Sequence, residues 1–167
     1  MRIDFYHLTA SPLEEVIEKL LQKIDLTQTH VLIRTGSEER ADALSSFLWT
    51  HLPNSFFPNG TDKDKNPEEQ PIYITCQAEK NPSKASFLFI VDGEELTDAD
   101  AFTRCFYFFH ESDVETARKR WKEALQKQAD CYYWKKNNAE KWECKFKKEA
   151  VPDNASAAAK PLSEEEK

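Results

Sequence analysis

His30-Val31-Leu32-Ile33-Arg34-Thr35-Gly36-Ser37-Glu38-Glu39 is the stretch whose reading decides the fold. Its first half is a short, almost unbroken apolar run, the pattern of a strand covered on both faces within a parallel sheet. Gly36-Ser37 then turns the chain into a helix. Ser37 suits the cap position, Glu38 and Glu39 favour the positive end of the helix dipole, and Ala41, Leu44, Ser45, Leu48 and Trp49 recur on one side.

The same unit repeats outward. On the N-terminal side, Arg2 to Leu8 alternates polar with apolar or aromatic residues and reads as a first strand. Ser11-Pro12-Leu13-Glu14 reads as a capping box with proline at the first helical position, opening a helix to about Ile24 whose stripe is Leu13, Val16, Ile17, Leu20, Leu21 and Ile24. On the C-terminal side, Ile72 to Thr75, Phe87 to Val91 and Cys105 to Phe109 read as strands, Asp98 to Arg104 as a short helix and Asp113 to Gln128 as a long one. Between Pro53 and Pro71, residues 59–70 are almost wholly charged or turn-forming and read as a solvated loop. Strands alternating with helices over short connections predict an α/β domain of three layers around a mostly parallel sheet. That domain covers residues 1–148. Residues 149–167, rich in Ala, Ser, Pro, Glu and Lys without periodicity, read as a disordered tail.

Composition narrows the function. A chain of 167 residues with 40% apolar residues and 11 Phe, 5 Tyr and 4 Trp can bury one real core. Its net charge of −7 argues against a nucleic-acid coat, because neutralising phosphates needs an excess of Lys and Arg. No apolar run approaches the ~18 residues of a bilayer crossing, and Met1-Arg2-Ile3-Asp4 carries an acid where a signal peptide turns apolar, so a cytoplasmic protein with no membrane partner is expected. Cys76, Cys105, Cys131 and Cys144 stand singly, which reads as free thiols rather than zinc ligands. The only glycines, Gly36, Gly60 and Gly93, form neither a dinucleotide turn nor a phosphate cradle, so no cofactor is expected. The four histidines sit singly at element ends, and Asp92, Glu94 and Glu95 read as a solvated acidic turn, so neither catalytic nor metal residues are assigned.

The informative feature is how charge is distributed. Residues 118–148 hold eleven Lys and Arg against four Asp and Glu, a net +7 that leaves the remainder at −14. The same end carries Trp121, Tyr132, Tyr133, Trp134, Trp142 and Phe146. Cations interleaved with aromatics suit an acidic peptide with apolar anchors, or single-stranded nucleic acid held by stacking and phosphate contacts. Arg118, Trp121 and Lys122 fall at i, i+3 and i+4 on the last helix, with Val114 and Leu125 extending the apolar edge. A forked donor beside an apolar slot is what a peptide's terminal carboxylate and last aromatic side chain need. The plain alternative is that Trp121 is core and the cations are a solvated face.

Several short segments, taken in order, resemble the chi subunit family of bacterial DNA polymerase III. They are Phe5-Tyr6-His7-Leu8, Val31-Leu32-Ile33, Leu48-Trp49 followed by Ser55-Phe56-Phe57-Pro58, Pro71-Ile72, Phe102 with Arg104, and Ala117-Arg118-Lys119-Arg120-Trp121-Lys122. The resemblance implies a Rossmann-like fold that binds no nucleotide, and a non-catalytic accessory subunit linking the clamp loader to single-stranded-DNA-binding protein. It implies that Arg118 meets the carboxylate of that protein's acidic, Phe-terminated C-terminal tail, that Trp121 walls the site, and that Lys122 meets the acidic stretch. Val114 and Trp142 are further candidates for this tail site. Trp49 and Phe56 match the contacts to a psi subunit. DNA contact is then mainly indirect; direct binding of single-stranded nucleic acid by the basic-aromatic end is the alternative.

Overall fold

The computed structural model describes residues 1–51 and 57–150. Eight strands form one sheet: β1 (Arg2–Leu8), β2 (Val31–Arg34), β3 (Asn59–Thr61), β4 (Ile72–Thr75), β5 (Phe87–Ile90), β6 (Arg104–His110), β7 (Asp130–Lys136) and β8 (Trp142–Lys148). Their spatial order is β3-β4-β2-β5-β6-β1-β7-β8, and every pairing is parallel except the β7–β8 hairpin. Helices α1 (Leu13–Gln22) and α2 (Glu38–Thr50) cover one face, and α3 (Val114–Gln126) the other. The expected three-layer α/β domain is therefore the observed one.

Alternation along β1 feeds two cores. Ile3 and Phe5 join the α3 core, while Tyr6 and Leu8 join the α1/α2 core. On the same side as Tyr6, Asp4 is fully buried, yet it accepts from Arg104 Nε at 2.7 Å, Arg2 Nη2 at 2.9 Å and Trp134 Nε1 at 2.8 Å. A buried carboxylate is tolerable only with such partners. This one ties β1 to β6 and β7.

Three expectations need correcting. The solvated loop at 59–70 begins with a buried edge strand, because Asn59 to Thr61 pair in parallel with β4; the Ser45 hydroxyl donates to Asn59 Oδ1 at 2.5 Å, and Asn59 Nδ2 donates to the Phe57 carbonyl at 2.9 Å. The capping box at Ser11 does not form. Pro12 occupies the cap, Ser11 Oγ accepts from Lys136 at 2.7 Å, and Glu14 pairs with Arg40 at 3.0 Å. The Asp98 to Arg104 helix is a single 3-10 turn over Ala99–Ala101. Ser37 does cap α2, accepting from the Arg40 amide at 3.1 Å. Phe56 and the tail from residue 151 lie outside the described residues.

Candidate functional site

α3 is amphipathic, and its basic run divides by helical phase. Ala117, Arg120 and Ala124 face the sheet, whereas Arg118, Lys119 and Lys122 face solvent. Arg120 is held beneath the helix by Glu123 at 3.2 Å. Arg118 sits at the edge between helix and sheet, 70% exposed and paired with Glu115 at 3.1 Å. An exposed pair one turn apart is worth ~0–1 kcal/mol, so its guanidinium can exchange partners readily.

Beside Arg118 runs a groove of about 310 Å³, walled by Val114, Ala117 and Trp121 of α3 and floored by side chains of β1, β6, β7 and β8. Trp121 is only partly buried. Its ring packs on Phe5 at 5.1 Å and on Phe146 at 5.7 Å, so it forms a wall with one face in the core and an edge open. Phe146 is 52% exposed and forms the far side. At the inner end His7 stacks on Phe109 at 4.7 Å, its Nδ1 lies 2.7 Å from the Tyr133 hydroxyl, and its Nε2 lies 2.6 Å from Glu111. Burial pushes the Tyr133 hydroxyl's pKa up and Glu111 adds to the rise, while Arg118 opposes it. The groove lies toward the C-terminal ends of β1 and β6, where open α/β sheets commonly receive ligands. Its chemistry is that of an apolar slot with a guanidinium at the rim and a hydroxyl and imidazole at its inner end.

Of the residues read from sequence, Val114, Arg118 and Trp121 converge on this groove. Lys122 stands one turn further along α3, exposed and outside the lining. Trp142 does not belong here. Phe146 pairs with Tyr133 on the α3 face, but the ladder slips between Tyr133 and Trp134, so Cys144 pairs with Trp134. One extra residue in a strand reverses which face its side chains meet. Trp142 therefore packs edge-on against Tyr6 at 5.1 Å on the α1 side, under the Lys136 ammonium. Trp49 lies on the outer side of α2, 48% exposed, rather than on its inner face.

Sequence reasoning did not assign Phe5, His7 and Phe109 to the site, and it named Tyr133 and Phe146 only among the aromatics of the basic end. The signal was present, since Phe5 and His7 share a face of β1, and Asp130-Cys131-Tyr132-Tyr133-Trp134 followed by Asn137-Asn138 is a strand and turn pattern. The Asn137 side chain accepts from the Ala139 and Lys141 amides at 2.9 and 3.0 Å and so closes that hairpin.

Asp92 accepts from the Gly36 amide at 3.1 Å and meets Arg40 at 3.4 Å, and so joins the starts of two connections. Among the described residues, no three His, Cys, Asp or Glu side chains gather as a metal site, and no helix is long and apolar enough to cross a membrane.

The model of a family described as DNA polymerase III chi subunit, HolC, matches residues 1–131. A protein of Rickettsia prowazekii (strain Madrid E), named probable DNA polymerase III subunit chi, is 30% identical over 95 residues, which is 57% of this chain and 57% of that relative's length. The family match spans β1 through α3 and the first two residues of β7, and so includes Phe5, Val114, Arg118 and Trp121; Tyr133 and Phe146 lie beyond it. With most of its length matched, the chain belongs to the DNA polymerase III chi subunit family.

Proposed function

We propose that this protein is a non-catalytic accessory subunit of the replicative polymerase, and that its α3 groove takes the acidic C-terminal tail of single-stranded-DNA-binding protein. The observation that carries this reading is the pairing of an aromatic slot with a weakly held guanidinium at its rim. The tail's last Phe fills the slot between Phe5, Trp121 and Phe146, its terminal carboxylate displaces Glu115 from Arg118, and Lys122, one turn on, meets its acidic residues. The negative remainder of the molecule disfavours bare nucleic acid, so the link to DNA runs through a protein that is itself acidic.

The second docking surface is the outer side of α2 around Trp49, which takes a psi-type subunit and so joins the protein to the clamp loader. Large, partly exposed aromatics are the residues most enriched at such contacts. If so, Trp49→Ala abolishes co-elution with psi on size exclusion and leaves tail binding intact; unchanged co-elution refutes the surface.

The tail site is tested by titrating the full chain into a fluorescent acidic peptide ending in Phe. Losing a desolvated, charge-assisted contact costs ~1.5–3 kcal/mol, so Arg118→Ala weakens binding roughly ten- to hundredfold. Equal affinity refutes the site. A labelled oligonucleotide serves as the control: tighter binding to it, with a steep log–log dependence on salt, favours direct nucleic-acid binding instead.

A further inference from the structure

The inner end of the groove contains a hydrogen bond between His7 and Tyr133 that the proposed contact of the tail with Arg118 does not require. His7 is 4% exposed. Its Nδ1 is 2.7 Å from the Tyr133 hydroxyl on β7, and its Nε2 has no aligned hydrogen bond but lies 2.6 Å from the Glu111 carboxylate on the turn after β6. β6 offers it only the ring of Phe109, β8 contributes Phe146 to the lining, and α3 contributes Arg118 with its partner Glu115. β7 also sets Lys135 beside His7 in the ladder, so the charged and titratable groups around the imidazole are Tyr133, Lys135, Glu111, Arg118 and Glu115.

The direction of this hydrogen bond depends on one proton. With the Glu111 carboxylate 2.6 Å from Nε2, the single ring proton of neutral His7 is read at Nε2, and Nδ1 as a lone pair. The Tyr133 O–H must then donate inward, so it turns an oxygen lone pair toward the groove and repels an arriving carboxylate. When His7 takes a proton from solvent, Nδ1–H donates to the Tyr133 oxygen instead. The tyrosine hydrogen, displaced by rotation and not transferred, points into the groove. It is then a second donor in the groove whose lining includes Arg118.

We infer that Tyr133 is a second donor to the terminal carboxylate of the bound peptide, and that His7, braced by Glu111, is the positioning residue that turns its hydroxyl toward the ligand. This rests on the reading of the groove as a site for a carboxylate-ended peptide. The linkage has a fixed sign: the liganded state prefers protonated His7, so binding takes up a proton and tightens as pH falls.

Two measurements test it. Nitrogen-15 NMR of the free, full-length protein, with His7 assigned by His7→Gln, should show the Nε2–H tautomer at high pH and a new Nδ1–H on acidification. An Nδ1–H tautomer at high pH overturns the inference whatever the groove binds. Peptide affinity is then followed from about pH 8 to 5.5, where imidazoles change charge and carboxylates stay ionised. Wild type should tighten severalfold for the peptide with a free carboxylate and stay flat for the amidated one. Tyr133→Phe and His7→Gln should be flat at the weaker, high-pH level. A Tyr133→Phe protein that still tightens on acidification shows that charge alone acts, and it overturns the relay. If His7→Gln fails to fold, Tyr133→Phe decides the question. Binding that ignores Arg118→Ala at every pH overturns the tail site itself, and the tautomer measurement still judges the His7–Tyr133 hydrogen bond separately.

Discussion

Removing Phe146 should separate the binding groove from the fold. Phe146 sits on β8, 52% exposed, and its ring contacts Trp121 at 5.7 Å. A phenylalanine offers about 150–250 Å², so roughly 100 Å² of this ring is still open to a ligand, worth at most about 2.5 kcal/mol at ~25 cal/mol per Å². A bound peptide covers only part of it, so Phe146→Ala should cost about 1 kcal/mol of binding, roughly five- to tenfold in affinity. The stability effect is of the same small order, ~0.5–1.5 kcal/mol for an aromatic pair, since the ring lies on a hairpin at the sheet edge. The assay is peptide anisotropy beside a thermal melt for each protein. Affinity within twofold of wild type would refute the placement of β8 as the far wall. A cooperative loss of several kcal/mol of stability would show instead that Phe146 is core.

The buried carboxylate gives a stability prediction: Asp4→Ala strips a partner from Arg2, Arg104 and Trp134 together and should cost about 2–4 kcal/mol in urea unfolding, whereas a loss under about 1 kcal/mol would contradict its role. Alkaline pH should destabilise the fold. Burial pushes the Tyr6 and Tyr73 hydroxyls and the Cys105 and Cys131 thiols each up to about 12, so the unfolded chain loses these protons first, and stability falls as pH rises from about 9 toward 12. A urea midpoint constant over that range would refute the burial of these groups. In native protein a thiol reagent should modify exposed Cys144 first and leave Cys105 and Cys131 unreacted until denaturant is added; prompt reaction of either buried thiol would contradict the core assignment.

What was legible in the sequence follows its periodicity. The strands at Ile72 to Thr75 and the helix at Val114 to Gln126 emerged because one-sided or continuous apolar runs leave few alternatives. Arg118 and Trp121 were placed together because helical spacing alone brings them to one side. The β7–β8 hairpin escaped because aromatics fall on both of its faces, Tyr133 and Phe146 on one and Trp134 and Trp142 on the other, so no period-2 alternation of apolar and polar residues marks it. Trp142 was misplaced by a single bulged residue, a device that local composition does not encode. The short edge strand Asn59 to Thr61 was hidden inside a charged loop, since three polar residues become strand only through β4 beside them. His7 shares a face of β1 with Phe5, but the local pattern gives it no role, because its partners lie 126 and 104 residues away in the chain.

The most direct test of the account is a double cycle between Arg118 and the peptide's terminal carboxylate. Affinities are measured for wild type and Arg118→Ala, each against the free-acid and the C-terminally amidated peptide. If the guanidinium reads that carboxylate, Arg118→Ala costs roughly tenfold or more with the free acid and under about twofold with the amide. Equal losses with both peptides would show that Arg118 supplies only general positive charge, and that the carboxylate is read elsewhere.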